Sequence, residues 1–231
     1  MYKPKNYQLE YNAFDRYIRG RSLPPLVLLV LVAKSTLMLF EMCIRYIPGG
    51  FGYMLRYWYY KMLLKSMGKN VLIDVGVFFY GTKNISIGAY TWIDSGVRLE
   101  AGLGEITIGK RVHIAPYAII AAREPVIIGD YVGIGAGAKV YANSERPYAG
   151  KRMSGPMIPE EDKAYYSKKI ILGKDSCVGT GAVLLPGASL GEGAVVGANT
   201  VVKKKIEPYH IVVGSPPRTI RIRDKIRVKD L

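Results

Sequence analysis

Between residues 172 and 202, large aliphatic side chains recur every six positions: Leu172, Val178, Leu184, Leu190, Val196 and Val202. Four residues after each of the first five stands a small or modest side chain: Ser176, Ala182, Ala188, Ala194 and Thr200. Glycine follows the aliphatic at Gly173, Gly179, Gly191 and Gly197. The same phase runs through Ile87-Gly88 and Ile93, then Ile108-Gly109, Ile114 and Ile120, then Ile128-Gly129, Ile134-Gly135 and Val140. A helix repeats near 3.6 residues, so this period excludes one. It predicts a triangular coil with one short strand per side, the aliphatic pointing inward and the glycine permitting the corner. Stacked coils pair edge to edge about 4.8 Å apart. Each coil shields only its neighbours, so the two ends need caps.

Two stretches break the phase. "EAGLGE" at 100–105 is a short slip. The insertion 142–169, "ANSERPYAGKRMSGPMIPEEDKAYYSKK", is polar, contains prolines and abandons the period. A loop of this length inside a repeat is either a functional element or a disordered excursion.

The pattern before residue 68 is of another kind. Residues 1–22 read as a basic tail, 23–67 as a helical segment, 68–206 as the repeat domain with its insertion, and 207–231 as a basic C-terminal segment. The run "LPPLVLLVLVA" is continuously apolar but stops at Lys34, short of the roughly 20 residues a spanning helix needs. Apolar character resumes as "STLMLFEMCIRYI". Pro24 and Pro25 suit a helix start, and Pro48-Gly49-Gly50 suits its stop. On one helix Lys34, Glu41 and Arg45 fall on nearly one line, a narrow charged stripe.

"FGYMLRYWYYKMLLKSM" follows, mixing aromatics with Arg56, Lys61 and Lys65, as a membrane–water interface favours. Arg16, Arg19 and Arg21 precede the apolar segment, and Arg45 and Arg56 follow it. Basic flanks on both sides favour both ends at the cytoplasmic face of the cell membrane. Segment 23–67 therefore reads as a monotopic or re-entrant anchor. The alternative is a buried helical pair or an oligomer contact. A cleaved signal peptide fits poorly, because no small-residue cleavage site follows promptly.

Composition adds an expected anionic partner. Lys and Arg total 33 against 18 Asp and Glu, a formal net charge of +15. That suits a membrane surface, a phosphate-rich small molecule or nucleic acid. No stacking platform or recognition motif supports nucleic acid. The cysteines, Cys43 and Cys177, form no disulfide framework or zinc ligand set, so no metal is expected.

The repeat, together with "IGKRVHIAP", an inserted loop containing "SGPMIP", and the terminal "VVGSPPRTIRIR", resembles the hexapeptide-repeat acyltransferases. The likeness is nearest to the sugar, maltose, galactoside and polysaccharide O-acetyltransferases and covers about 68–223. Pro217 stands where that family usually has alanine. The resemblance implies an all-β left-handed parallel β-helix, a hand that departs from the usual right-handed crossover. It implies a homotrimer with acetyl-CoA, the acyl donor, in a groove between subunits. A general base then takes a proton from the acceptor's hydroxyl or amine, which attacks the thioester directly.

His113 precedes inward Ile114, so strand alternation turns it outward. The resemblance places the catalytic histidine of sugar acetyltransferases in the inserted loop, and here that loop has none; Asn143, Ser144 and Glu145 occupy the place. Either His113 is the base, or Glu145 serves, or activation follows another route. Asp94, beside inward Ile93, could orient a base or bind acceptor hydroxyls, and Arg98 could meet an acceptor phosphate. His210 and Cys177 read as structural. For CoA, the resemblance points to Thr180 and Ala198 at outward corners and to Lys203, Lys204, Arg218 and Arg221 for the phosphates.

The expected activity is acyl-CoA-dependent O- or N-acylation of a sugar, such as a lipid-linked or surface-polysaccharide precursor at the membrane. The alternative is a non-catalytic β-helix scaffold or binding protein. A γ-type carbonic anhydrase on this fold would need three histidine ligands, and the chain has two.

Overall fold

The aliphatic ladder is buried throughout the computed structural model, which describes residues 8–153 and 158–230. On one face the inward residues are Ile73, Ile93, Ile114, Ile134, Val178, Val196 and Val212, none more than 2% exposed. Each pairs in parallel register with the next, Ile93 with Ile114 and Ile114 with Ile134. Two further parallel sheets complete a three-faced coil. The first face carries strands such as Ile85–Ile87 and Ile106–Ile108, the second Trp92–Ile93 and His113–Ile114, the third Arg98–Glu100 and Ile119–Ala121. The result is the parallel β-helix expected from the period.

The small residues four places on, Ser176, Ala182, Ala188, Ala194 and Thr200, are all buried at the corners. The glycines act differently from the expectation. A Cβ on Gly173 would sit 2.8 Å from the backbone of Gly191 and Glu192, and one on Gly179 would sit 2.6 Å from the amide of Ala198. Glycine is required there because successive coils touch. The left-handed backbone conformation falls further along the corner, often on residues with side chains: Tyr90, Arg111, Tyr131 and Asp175 all have φ between 54° and 60°.

The chain divides into two units, 1–46 with 145–164, and 47–144 with 165–231. In the first, helix α1 (Gln8–Ile18) occupies much of the expected basic tail. It ends in a left-handed Gly20, with Arg21 N–H bonded to Arg16 O and Gly20 N–H to Tyr17 O. This pair of bonds closes the helix with a left-handed glycine C-cap. Helix α2 (Pro25–Tyr46) runs without a break through Lys34. The apolar element is therefore 22 residues long, about 33 Å, and long and apolar enough to cross a membrane by length and composition. Arg45 and Glu41 pair across one turn of it. The insertion is folded at its base, where Asn143–Glu145 and Tyr165–Ser167 form a two-stranded sheet. Further out, Arg146 and Arg152 donate backbone bonds to Ala164 and Asp162. Within "SGPMIP", residues 154–157 lie outside the described residues.

In the second unit, helix α3 (Gly49–Leu63) covers the first coil. Tyr60 is fully buried, its ring 4.4 Å from that of Phe79, and Leu64 is buried with it. Arg56 departs from the interfacial role that its aromatic neighbours suggest. It is fully buried; its Nε donates to Ile73 O at 2.8 Å and its Nη1 to Ile47 O at 2.6 Å. Burial lowers its pKa, and Asp74 opposes that shift. At the other end His210–Val213 is followed by an antiparallel strand, Arg218–Ile222. The tail then returns along a corner, where Arg223 donates to the carbonyls of Asp175 and Gly193 and Asp230 pairs with Lys174.

The capping role of Arg56 has a measurable consequence. Arg56→Met keeps the stem's packing and removes two charge-assisted bonds, at about 1.5 kcal/mol each. We expect a loss of about 3 kcal/mol, seen as a thermal midpoint lowered by roughly 6–12 °C. An unchanged midpoint would mean that the Arg56 bonds add nothing to the cap.

Candidate active site

Parallel register turns one face of a β-helix into columns. On the second face the outward column reads Trp92, His113, Gly133, Cys177. Two residues along, a second outward column reads Asp74, Asp94, Ala115, Gly135, following the bonds Asp74 N–H to Ile93 O, Asp94 N–H to Ile114 O and Ala115 N–H to Ile134 O. His113 and Asp94 are thus diagonal neighbours on adjacent coils. The His113 Nε2 lies 2.9 Å from Asp94 Oδ2. The carboxylate side chain is 18% exposed and the imidazole 54%, so the acid sits behind the ring and the ring meets solvent.

The chemistry of that contact follows from what each atom can do. An ionised carboxylate only accepts, so the proton lies on Nε2 and the lone pair on Nδ1. Nδ1 is then a base, and Asp94 stabilises the imidazolium that forms when it takes a proton. The Trp92 ring flanks the imidazole at 5.7 Å. On the other side Gly133 carries no side chain, and the nearest side-chain atom to a Cβ there would be Cys177 Sγ at 3.8 Å.

The remaining expected site residues scatter. Thr180 and Ala198 are exposed and adjoin on successive coils at one corner. Lys203 and Lys204 are exposed on the turn after Val201–Val202, where the third face gives way to the first. Arg218 and Arg221 lie on the terminal antiparallel strand that extends the second face. Glu145 ends the strand Asn143–Glu145 at the base of the insertion and belongs to the first unit. Arg98 is bonded to Glu100 at 2.7 Å and stacked on Phe78, so its charge is already matched. His210 Nδ1 lies 3.0 Å from Pro208 O, a local turn contact. Among the described residues no group of three His, Cys, Asp or Glu side chains is placed to hold a metal ion.

Asp74 and Tyr53 were not singled out from sequence. Tyr53 Oη donates to Asp74 Oδ1 at 3.0 Å. A signal for Asp74 was present: "IDVG" at 73–76 repeats "IDSG" at 93–96 one coil earlier. Nothing in the sequence couples Tyr53 to it.

Comparison with known proteins identifies the scaffold that carries these residues. The family described as "Bacterial transferase hexapeptide (six repeats)" matches residues 169–204. The dTDP-4-amino-4,6-dideoxy-D-glucose acyltransferase of Escherichia coli is 39% identical over 165 residues, 71% of this chain and 85% of that protein. The chain belongs to the hexapeptide-repeat acyltransferases. AntD, an N-acyltransferase from Bacillus cereus solved with dTDP and 3-hydroxybutyryl-CoA, superposes with a TM-score of 0.67 at 33% identity, covering 73% of this chain and 88% of that one. The putative lipopolysaccharide biosynthesis O-acetyl transferase WbbJ of Escherichia coli K12 is 33% identical over 130 residues, 54% of this chain and 65% of that protein.

Within this acyltransferase the Cys177 thiol beside Gly133 is poorly activated for attack. Burial pushes the Cys177 thiol above the ordinary cysteine range, with Arg223 opposing. A raised thiol pKa leaves less thiolate at neutral pH. In a Cys43→Ser background, iodoacetamide should modify Cys177 more slowly than a free model thiol at pH 7.5. The rate should still be climbing at pH 9. A rate that levels off below pH 8 would contradict this reading and restore Cys177 as a candidate nucleophile.

Proposed function

We propose that this acyltransferase moves an acyl group from acyl-CoA to a sugar, with His113 as general base and Asp94 as its partner. The observation that carries the proposal is the 2.9 Å His113–Asp94 contact on an exposed face. The acceptor class is supported by the Escherichia coli relative, named for a dTDP-linked amino sugar, and by AntD, solved with dTDP and an acyl-CoA. A nucleotide-linked amino sugar is the acceptor we favour, and acetyl is the simplest acyl group. A lipid-linked sugar or surface-polysaccharide precursor is the second acceptor class, favoured by the exposed apolar helix and the likeness to WbbJ.

The step balances without an acyl-enzyme. His113 Nδ1 removes the proton from the acceptor nitrogen or oxygen as it attacks the thioester carbonyl. The C–S bond breaks from the tetrahedral adduct, and the imidazolium returns a proton to the departing CoA thiolate. Thr180 and Ala198 offer a bare corner for the pantetheine arm, and Arg218 and Arg221 offer charge for the phosphates. A homotrimer would set a second copy against the His113 face.

Release of CoA thiol from acetyl-CoA, followed with a panel of nucleotide-linked amino sugars, tests this. His113→Ala should lower kcat about 10²–10⁴-fold with little change in KM for acetyl-CoA. Asp94→Asn should lower it as well, because an amide can present its N–H to Nε2 and leave the proton on Nδ1. Full activity in His113→Ala would remove the base from the mechanism.

We further propose that α2 lies in the cytoplasmic leaflet of the cell membrane as a monotopic anchor. Leu28, Leu37 and Phe40 are among its many side chains more than half exposed. Its charged residues confine themselves to one stripe, and Arg16, Arg19 and Arg21 lead into it. Full-length protein should float with vesicles containing anionic lipid, and Leu28→Lys/Leu37→Lys should not. Equal flotation of both would sink the anchor.

A further inference from the structure

The pair behind His113 is itself backed by a second carboxylate. Asp74 stands one coil before Asp94 in the same outward column, its N–H bonded to Ile93 O. Coils are about 4.8 Å apart, so the two carboxylates are close enough to repel. Left free, Asp74 would either push Asp94 away from the imidazole or compete for it. It is not free. Tyr53 Oη donates to its Oδ1 at 3.0 Å, and the Val75 N–H donates to the same oxygen at 2.7 Å. The Tyr53 bond ties that oxygen to α3, and the Val75 N–H fixes the same oxygen at its own corner of the coil.

Tyr53 is held in turn. The Arg56 guanidinium lies 5.2 Å from its ring centre and is itself anchored on Ile73 O, the residue before Asp74. A buried cation and a phenol on α3 therefore face the Asp74 carboxylate from one side, and Asp94 faces it from the other. The Tyr53 phenol has a raised pKa, first through burial and then through its bond to Asp74, with Asp94 adding a smaller push. It stays a donor at neutral pH.

We infer that Tyr53 is a positioning residue for His113. It ties Asp74 to α3, so that Asp94 alone serves the imidazole Nε2 and Nδ1 is left as the base. The helix that caps the coil stack thereby sets the tautomer of a histidine two coils away. The inference rests on His113 being the base of the proposed reaction.

Imidazole 15N NMR of the full-length protein reads this without any turnover. The chain has two histidines, so His210→Asn assigns the remaining signals to His113. Wild type should show the Nε2–H tautomer. Tyr53→Phe, which keeps the ring over Arg56, should mix in the Nδ1–H form, and Tyr53→Phe/Asp74→Asn should restore the wild-type spectrum. In turnover, Tyr53→Phe should lower kcat about threefold to tenfold at unchanged KM for acyl-CoA, with the double variant recovering most of the loss. An unaltered tautomer in Tyr53→Phe, or a double variant as impaired as the single, overturns the inference. A wild type that shows the Nε2–H form yet acylates no sugar would instead overturn the proposed function.

Discussion

The contact between one coil's backbone and the next is the constraint from which this molecule follows. Parallel strands lie about 4.8 Å apart, and the corners between them are no wider. At Gly173 and Gly179 the next coil leaves no room for a Cβ. That closeness fixes the register of every strand, because a slip of one residue would drive a side chain into a backbone. It also explains why the buried corner positions take only compact side chains, Ser, Ala, Thr and Val, and why the left-handed conformation can fall on a tyrosine or arginine just before them, where the corner bulges outward.

Fixed register makes chemistry columnar. A side chain on the second face meets the equivalent residue of the coil above and below, and its diagonal neighbours, before it meets anything distant in sequence. His113 and Asp94 are 19 positions apart yet hydrogen-bonded, because a coil near them takes about that many residues. The columns also determine what lies beside His113: indole on one side, and on the other a glycine that leaves the surface open. A rigid repeat thus holds a histidine and its carboxylate partner without a loop between them. On the proposed mechanism this answers the want of a histidine in the insertion, since the scaffold itself can present one.

What the sequence disclosed follows the same division. The periodic part was legible nearly in full: Ile93, Ile114 and Ile120 were placed inward, His113 and Asp94 outward, and the insertion out of phase. Periodicity reports which way a side chain points, and on a β-helix that is most of the structure. What it misses is contact made by non-periodic elements. Arg56 reads as an interfacial cation among aromatics, yet two backbone carbonyls of Ile47 and Ile73 claim it. The apolar run was expected to be too short to span because it stops at Lys34, yet one charge does not interrupt the helix, and the apolar element extends over Pro25–Tyr46. Lys203 and Lys204 drew notice as a charge run, but their corner is set by the turn that contains them, which a count of charges does not see.

The caps are where the two parts of the chain's logic meet. A coil stack buries its interior only as far as its last turn, so each end needs an element with an apolar face and a way to satisfy the terminal backbone. α3 does both, with Tyr60 and Leu64 on the core and Arg56 on the carbonyls. The terminal strand Arg218–Ile222 does the second by pairing antiparallel, which ends the parallel progression. Because the first coil also carries Asp74, the residues that close the stack stand two coils from the histidine. On the proposed mechanism, a change to the cap is therefore a change to the charge behind the base. At this end of the molecule stability is then coupled to the proposed base, whereas at the far coils it is coupled to the corner and the terminal strand proposed to hold CoA.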